Sequence, residues 1–225
     1  MWFQQKQRID SIQAAMPRDE LVRRSRILVI DDERPELIND LQRSHFSVDY
    51  TADIRPEDLS EKLDSRLYDL ILLDFGQVGE GLGKEQGLSI LRHIKRVNPA
   101  VMVLAYTSKA LGTEHADFYR LADGVLAKDA GIAESTRRIE EALQKAHSVE
   151  NLWRGVLAVS GVTPGSTTDR EWQDLLVRGI KKESKLREFR DRLSGAVGAE
   201  LAQKVAIGLV EKIIEIGVRK ALIGP

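Results

Sequence analysis

A buried β-strand is predicted by the stretch Tyr68-Asp69-Leu70-Ile71-Leu72-Leu73-Asp74-Phe75-Gly76. A short, continuous apolar run that ends in a carboxylate is typical of a strand in a parallel sheet covered on both faces. Asp74 then lies at the carboxyl end of the strand, where open α/β sheets bind their ligands. Because a charge beside a buried strand is costly unless solvent or a ligand reaches it, Asp74 is the first candidate functional residue.

Four further segments predict strands of the same sheet, and helical segments separate them. The predicted strands cover residues 26–30, 46–51, 101–106 and 124–127. The predicted helices cover residues 34–44, 56–63, 87–97 and 112–121 and a region that begins at Ile132. Strand and helix alternate five times along the chain, which predicts an α/β fold with a parallel sheet.

Composition limits the kind of protein this is. The chain has 225 residues, 42% of them hydrophobic, which suits one large domain or an ordinary domain with a smaller module. The absence of cysteine excludes disulfides, thiolate metal sites and cysteine catalysis. No apolar stretch reaches the length of a membrane span and the N-terminus lacks a secretory apolar region, so a cytoplasmic protein without membrane insertion is expected.

Charge and pattern divide the chain into three predicted parts. Residues 1–24 are predicted as an N-terminal helical extension, in which 3–15 have helix-forming composition, although a frayed terminus fits equally well. Residues 25–148 form the α/β domain and carry a net charge of −6, whereas residues 149–225 form a helical module and carry +3. A charge of +3 is too small to indicate nucleic-acid binding by itself.

Five polar residues directly follow predicted strands and gather at one edge of the sheet. They are Asp31, Asp32, Asp74, Thr107 and Lys128. Three carboxylates at close range repel one another, and a Mg²⁺ ion would remove that repulsion. A lysine and a hydroxyl could donate to phosphate oxygens, so the set predicts phosphoryl transfer to Asp74. Each residue alone also fits a plainer role, such as a helix cap, a turn or a surface charge.

This ordered set resembles the receiver domain of two-component response regulators, over about residues 25–148. The resemblance implies a flavodoxin-like, doubly wound sheet of five parallel strands in the order 2-1-3-4-5. It implies a signalling protein rather than an enzyme, with a sensor histidine kinase or phosphotransfer protein as phosphodonor. Asp74 would accept the phosphoryl group, with Mg²⁺ as cofactor held by Asp31, Asp32, Asp74 and the backbone carbonyl of Gly76. Lys128 would pair with the acyl phosphate, and Thr107 would move towards it.

Three features depart from the pattern of that family. The loop 75–87 is glycine-rich and longer than expected, and it lacks the Gly-Lys-Ser/Thr ending of a phosphate loop, so we interpret it as a flexible insertion. Asp129 rather than proline follows Lys128, and a trans bond is expected there because a cis bond without proline costs about 2.5–4 kcal/mol. Val125 occupies the position of the family's aromatic switch residue.

The C-terminal third predicts helices. The helix that begins at Ile132 has no obvious stop and is predicted to continue towards Gly161. A second helix, capped by Thr168 or Asp169, is predicted to extend to Leu193, and a third covers 200–222. Its apolar face must be covered within a bundle or by a second copy, so a homodimer through the C-terminal helices is expected.

Three hypotheses follow for the function. The first is a response regulator whose phosphorylatable receiver controls a helical output or dimerisation module. The second is a degenerate receiver that acts as a scaffold without phosphorylation. The third is a nucleic-acid-binding regulator that acts through the basic residues of 178–192. Nucleic-acid binding is the least favoured, because acidic residues interleave with the basic ones as on a solvated helix face.

Overall fold

The computed structural model describes residues 8–14, 16–58, 68–108 and 115–223. The chain forms two compact units. The sheet unit comprises residues 16–96 and 101–146, and the helical unit comprises residues 1–15, 97–100 and 147–225, each within the described ranges.

The sheet unit contains five parallel strands in the order β2-β1-β3-β4-β5. The strands are β1 (Arg26–Ile30), β2 (Ser47–Thr51), β3 (Leu70–Leu73), β4 (Met102–Thr107) and β5 (Gly124–Ala127). Every residue of β3 and β4 is buried, as the continuous apolar runs predicted. The predicted flavodoxin-like strand order is confirmed.

Helices cover both faces of this sheet. They are α1 (Arg18–Arg24), α2 (Leu37–Arg43), α3 (Gly87–Val97), α4 (Ala116–Leu121) and α5 (Ile132–Ala146). Because side chains alternate along a strand, Val29 and Leu72 join a core that includes residues of α1, α2 and α5, whereas Leu28 and Ile71 join one that includes residues of α3 and α4. Because all five strands are parallel, their carboxyl ends lie at the same edge of the sheet between these two cores.

Three of the helices predicted before β5 differ from the observed elements. Ile9–Ile12 forms a single 3₁₀ turn, and α1 was not predicted. The described part of the predicted helix 56–63 is a 3₁₀ turn at Pro56–Asp58, and the rest lies outside the described residues. The predicted helix 112–121 begins at Ala116, and its first three residues also lie outside the described ranges.

The helical unit contains four α-helices, as far as it is described. They are α6 (Val149–Ser160), α7 (Thr167–Gly179), α8 (Glu183–Ala196) and α9 (Glu200–Ile223). Their apolar faces form one core, centred on buried residues such as Trp153, Trp172, Phe189 and Ile213. None of the helices in the described residues is long and apolar enough to cross a membrane.

The predicted continuation of the helix from Ile132 to Gly161 is wrong. Helix α5 ends at Ala146, and α6 begins at Val149 after a separate N-cap. The Ser148 hydroxyl accepts a hydrogen bond from the backbone N–H of Asn151 at 3.2 Å, which favours a new helix start over continuation.

The single helix predicted from Thr168 or Asp169 to Leu193 is also wrong. Ser166 caps α7, and its hydroxyl accepts from the backbone N–H of Asp169 at 3.1 Å. Helix α7 ends at Gly179, where a Cβ would lie 2.9 Å from the backbone of Leu186 in α8. Only glycine allows two helices this close, so Gly179 permits the reversal of the chain.

Candidate phosphoryl-acceptor site

The carboxyl ends of β1 and β3 bring three carboxylates together. Ile30 pairs with Leu73 in the register of these strands, so Asp31 and Asp74 follow them side by side. The backbone N–H of Asp74 donates to the Ile30 carbonyl at 2.9 Å, which continues the ladder. Carboxylate oxygens of Asp31, Asp32 and Asp74 lie within 4.8 Å of one another. The cluster inferred from the sequence therefore exists in the structure.

Lys128 reaches this cluster from the end of β5. Its Nζ lies 2.7 Å from Asp31 Oδ2 and 2.9 Å from Asp74 Oδ2, so one ammonium bridges two carboxylates. Lys128 and Asp129 occupy a tight turn in which the N–H of Ala130 donates to the Ala127 carbonyl at 3.2 Å. The described residues contain no cis peptide bond, so the bond between Lys128 and Asp129 is trans, as expected.

Asp31 is the buried member of the cluster, with 0% of its surface exposed. Its Oδ1 accepts the backbone N–H of Glu33 at 3.0 Å, and its carbonyl accepts the Tyr50 hydroxyl at 3.0 Å. Its Oδ2 lies 2.7 Å from Lys128 Nζ and forms an ion pair with it. Burial raises the pKa of the Asp31 carboxyl, because lost hydration outweighs the attraction of Lys128.

The pKa of Lys128 is raised as well, although for the opposite reason. Burial lowers the pKa of an ammonium, but the contacts with Asp31 and Asp74 together outweigh it. Burial therefore dominates for the fully buried Asp31 and ion pairing dominates for Lys128, which has two partners. The Lys128 Nζ also lies 5.5 Å from the ring centroid of Tyr106, within the range of a cation–π contact.

Asp74 and Asp32 are more accessible than Asp31. Both are half-buried. Asp74 Oδ1 accepts the backbone N–H of Phe75 at 2.7 Å, and Oδ2 accepts from Lys128 at 2.9 Å. The Asp74 carboxylate is thus oriented on both oxygens and still reached by solvent, as a group that reacts with an external partner requires.

Thr107 and Gly76 also lie at this edge of the sheet. Thr107 is the last residue of β4, is buried, and accepts the backbone N–H of Lys128 through its carbonyl at 2.9 Å. Gly76 is the second residue after Asp74, and a Cβ built on it would meet no atom within 4 Å. The roles predicted for the Thr107 hydroxyl and the Gly76 carbonyl remain predictions.

The loop after Asp74 differs from the flexible insertion that the sequence suggested. The backbone N–H of Gly87 donates to the Phe75 carbonyl at 3.1 Å and closes the loop. Val78 is 0% exposed and belongs to the core of the sheet unit. The backbone N–H of Gly79 donates to Asp53 Oδ1 at 2.5 Å. These contacts pack the first half of the loop against the fold.

Several residues near the site were missed by sequence reasoning. Tyr106 belongs to the predicted strand 101–106, which assigns it no role at the site, yet its ring centroid lies 5.5 Å from Lys128 Nζ. Asp53 follows the edge strand β2 and gave no signal because its partner is a backbone N–H far along the chain. Phe75, next to Asp74, has its ring centroid 3.9 Å from that of His115 at the start of α4.

The residues present fit a Mg²⁺ site. Every candidate donor is an oxygen, which is the ligand type that Mg²⁺ requires. Three carboxylates face one ammonium, so negative charge remains uncompensated in the cluster.

No protein-family model and no curated protein matches the chain. Among solved structures, the receiver domain of NtrX from Brucella abortus is 21% identical with a TM-score of 0.45, and the match covers 52% of this chain and 98% of that one. A CheY-like receiver domain protein from Methanospirillum hungatei is 22% identical with a TM-score of 0.44, covering 54% and 95%. The response regulator TrrA from Thermotoga maritima, in complex with Mg²⁺-BeF, is 23% identical with a TM-score of 0.43, covering 52% and 98%. Several structural neighbours are thus response regulator receiver domains that match about half of this chain, whose own strand order is flavodoxin-like.

Proposed function

We propose that this protein is a response regulator whose sheet unit accepts a phosphoryl group on Asp74. One observation carries the proposal: oxygens of three carboxylates lie within 4.8 Å of one another at the carboxyl edge of a parallel sheet, and Lys128 bridges two of them, Asp31 and Asp74. Such an arrangement is costly for stability because it concentrates like charge, and it suits a divalent cation and an incoming phosphoryl group. The phosphodonor is a sensor histidine kinase or a phosphotransfer protein.

The residues have distinct roles in this proposal. A carboxylate oxygen of Asp74 attacks phosphorus, the bond to the donor nitrogen breaks, and the leaving group keeps the electron pair and takes up a proton. Lys128 exchanges a carboxylate contact for a phosphoryl oxygen and so neutralises part of the transferred charge. Asp31, Asp32, Asp74 and the Gly76 carbonyl would hold Mg²⁺, which when bound would neutralise part of the charge on the transferred group. The buried Thr107 supplies a hydroxyl donor that responds to the acyl phosphate.

Labelling with a small phosphodonor tests the proposal directly. The full chain is incubated with acetyl phosphate and Mg²⁺, and the modified residue is located by mass spectrometry after trapping of the acyl phosphate. We expect modification of Asp74, none in Asp74→Asn, and normal modification in Asp129→Asn, which removes an exposed charge from the same edge. A wild-type chain that no small donor or candidate kinase labels would refute the proposal and favour the phosphorylation-independent scaffold.

We further propose that the helical unit is the output module and that it dimerises through α9. Ile207, Val218 and Leu222 are exposed on this helix, at 46%, 41% and 82%. Their spacing of eleven and four residues places them on one stripe, and a second copy with the same stripe would cover it. Sedimentation velocity is expected to show a dimer that Val218→Lys weakens, whereas Ser184→Lys, at an exposed position of α8, leaves it intact. A monomer at all concentrations would contradict the proposal.

A further inference from the structure

The loop after Asp74 is anchored on both sides of Gly76. On one side, the Phe75 N–H donates to Asp74 Oδ1 at 2.7 Å and the Phe75 carbonyl accepts from Gly87 at 3.1 Å. On the other side, Val78 is 0% exposed and the Gly79 N–H is bound by Asp53. Two residues, Gly76 and Gln77, therefore lie between fixed points, and the direction of the Gly76 carbonyl depends on both.

Asp53 fixes the position of Gly79 through a hydrogen bond. It follows β2, and its Oδ1 accepts two backbone N–H groups, from Ile54 at 2.7 Å and from Gly79 at 2.5 Å. The Thr51 hydroxyl donates to the Asp53 carbonyl at 2.7 Å and fixes the backbone from which this side chain extends. A carboxylate that accepts backbone N–H groups makes charge-assisted hydrogen bonds, which are stronger than neutral ones.

The loop conformation requires such an anchor. Gln77 has a φ of 57° and Gly79 a φ of 71°, so two backbone positions close together adopt the left-handed region. For Gln77 that conformation carries a cost that neighbouring contacts must offset. Gly79 also packs tightly, since a Cβ there would lie 2.8 Å from Ile90 Cγ1. Without Asp53, the burial of Val78 and the hydrogen bond from the Leu82 N–H to the Gly79 carbonyl at 3.0 Å would have to keep this turn closed.

We propose that Asp53 is a positioning residue for the cation site, acting through Gly79 on the carbonyl of Gly76. The inference rests on the proposed function, in which that carbonyl is a Mg²⁺ ligand. Asp53 does not touch the cluster of Asp31, Asp32 and Asp74 in this scheme. It holds the loop in the one conformation that presents a carbonyl ligand, so the ion need not order the loop itself.

Titration of the full chain with Mg²⁺ alone, followed by ¹H–¹⁵N NMR, tests the inference without any phosphodonor. Asp53→Ala is expected to weaken Mg²⁺ binding about tenfold, the lower end of what loss of a supporting hydrogen bond costs a metal site. Asp53→Asn keeps an oxygen that can accept both N–H groups and is expected to bind nearly as the wild type. Glu57→Gln removes a charge from the same connection at an exposed side chain and is expected to change nothing.

The amide signal of Gly79 gives a second readout that does not involve the metal. Loss of the hydrogen bond to the Asp53 carboxylate should move this proton upfield in Asp53→Ala, and Asp53→Asn should restore most of the shift. If Asp53→Ala does not fold, Asp53→Ser replaces it and is expected to show an intermediate loss of affinity. If the folded Asp53→Ala or Asp53→Ser variant binds Mg²⁺ with wild-type affinity, the positioning role of Asp53 is wrong, even if the variant unfolds at a lower denaturant concentration. The proposed cation site would not be affected by that result. Failure of the wild type to bind Mg²⁺ overturns the proposed cation site as well.

Discussion

At the scale of single residues, the fold concentrates negative charge at the carboxyl edge of the sheet, where like charges and burial cost stability. Asp31 is fully buried, and the pKa of its carboxyl is raised, chiefly by lost hydration. A carboxyl whose pKa is higher in the folded than in the unfolded chain favours folding while protonated. That contribution is present at low pH and is lost as the pH rises through the folded pKa, so at neutral pH the charged Asp31 works against folding.

Asp31→Asn is therefore expected to stabilise the metal-free protein at pH 7 by about 1 kcal/mol, the low end of the gain seen when buried ion pairs are replaced by neutral side chains. Lys128 retains Asp74 as its partner, so no ammonium is left unpaired. Urea denaturation in the presence of a chelator measures the change, and the advantage should shrink towards pH 4. A variant less stable than the wild type at pH 7 would show that the contact with Lys128 outweighs the cost of burial.

Gly87 tests how closely the loop approaches the predicted phosphoacceptor. A Cβ at this position would lie 2.5 Å from the carbonyl oxygen of Asp74 and 2.9 Å from that of Phe75, so Gly87→Ala must displace backbone. We expect a loss of about 1–3 kcal/mol in the free energy of unfolding, the usual cost of overpacking, together with slower labelling of Asp74.

Gly76→Ala is the matched comparison for Gly87→Ala, because a Cβ there meets nothing within 4 Å. It is expected to leave both the stability and the labelling of Asp74 nearly unchanged, since the role proposed for Gly76 uses its carbonyl. Thermal unfolding followed by circular dichroism and the labelling assay report the two effects separately. Equal behaviour of the two variants would contradict the close approach at Gly87.

At the scale of elements, the sequence predicted the sheet better than the helix boundaries. Continuous apolar runs mark β3 and β4 because these strands are buried on both faces. The polar residues that follow β1, β3 and β5 predicted that Asp31, Asp74 and Lys128 meet at one edge. Asp53 could not be found in this way, since its partner Gly79 is a backbone group 26 residues away. Helix ends depend on one capping hydrogen bond, which several nearby residues could make.

Which residue caps the start of α7 can be tested by mutation. Ser166, Thr168 and Asp169 are all good capping residues by type, and the structure assigns the cap to Ser166. Ser166→Ala is expected to lower the free energy of unfolding by about 1 kcal/mol, as loss of an N-cap does. Thr168→Ala, at an exposed position inside the helix, is expected to change it little. The reverse order in urea denaturation would place the cap where the sequence first suggested.

Several basic residues of α8 form ion pairs with acidic residues of the same helix. Lys185 lies 2.8 Å from Glu188, Arg192 lies 2.9 Å from Glu188, and Arg187 lies 3.6 Å from Glu183. Ion pairs within a helix reduce the positive potential that phosphate groups would meet. Nucleic-acid binding through this helix stays an untested hypothesis, and no described contact favours it.

At the scale of the whole molecule, the N-terminal segment contributes to both units. Ile9 and Ile12 are buried in the core of the helical unit, and the Ile9 N–H donates to Gln173 Oε1 at 3.1 Å. Helix α1 instead packs with the sheet unit, where Arg18 lies 2.8 Å from Glu140. The extension predicted for residues 1–24 thus divides between two cores near Met16. Apolar residues occur on both sides of Pro17, and their sequence pattern did not predict that Ile9 and Ile12 would join the core of the helical unit and the apolar residues of α1 the core of the sheet unit.

Ile12 provides the test of this division. It is 8% exposed, and Ile12→Ala is expected to cost about 2–4 kcal/mol in the stability of the helical unit, as truncation of a buried isoleucine does. Hydrogen exchange by mass spectrometry should show faster exchange in α6, α7 and α9, with β3 and β4 unchanged, because the two units have separate cores. Ile132→Ala, at a side chain that is 48% exposed, should leave exchange in the helical unit unaltered. Unchanged exchange in α6 and α9 of the Ile12 variant would show that the N-terminal turn adds nothing to the stability of that core.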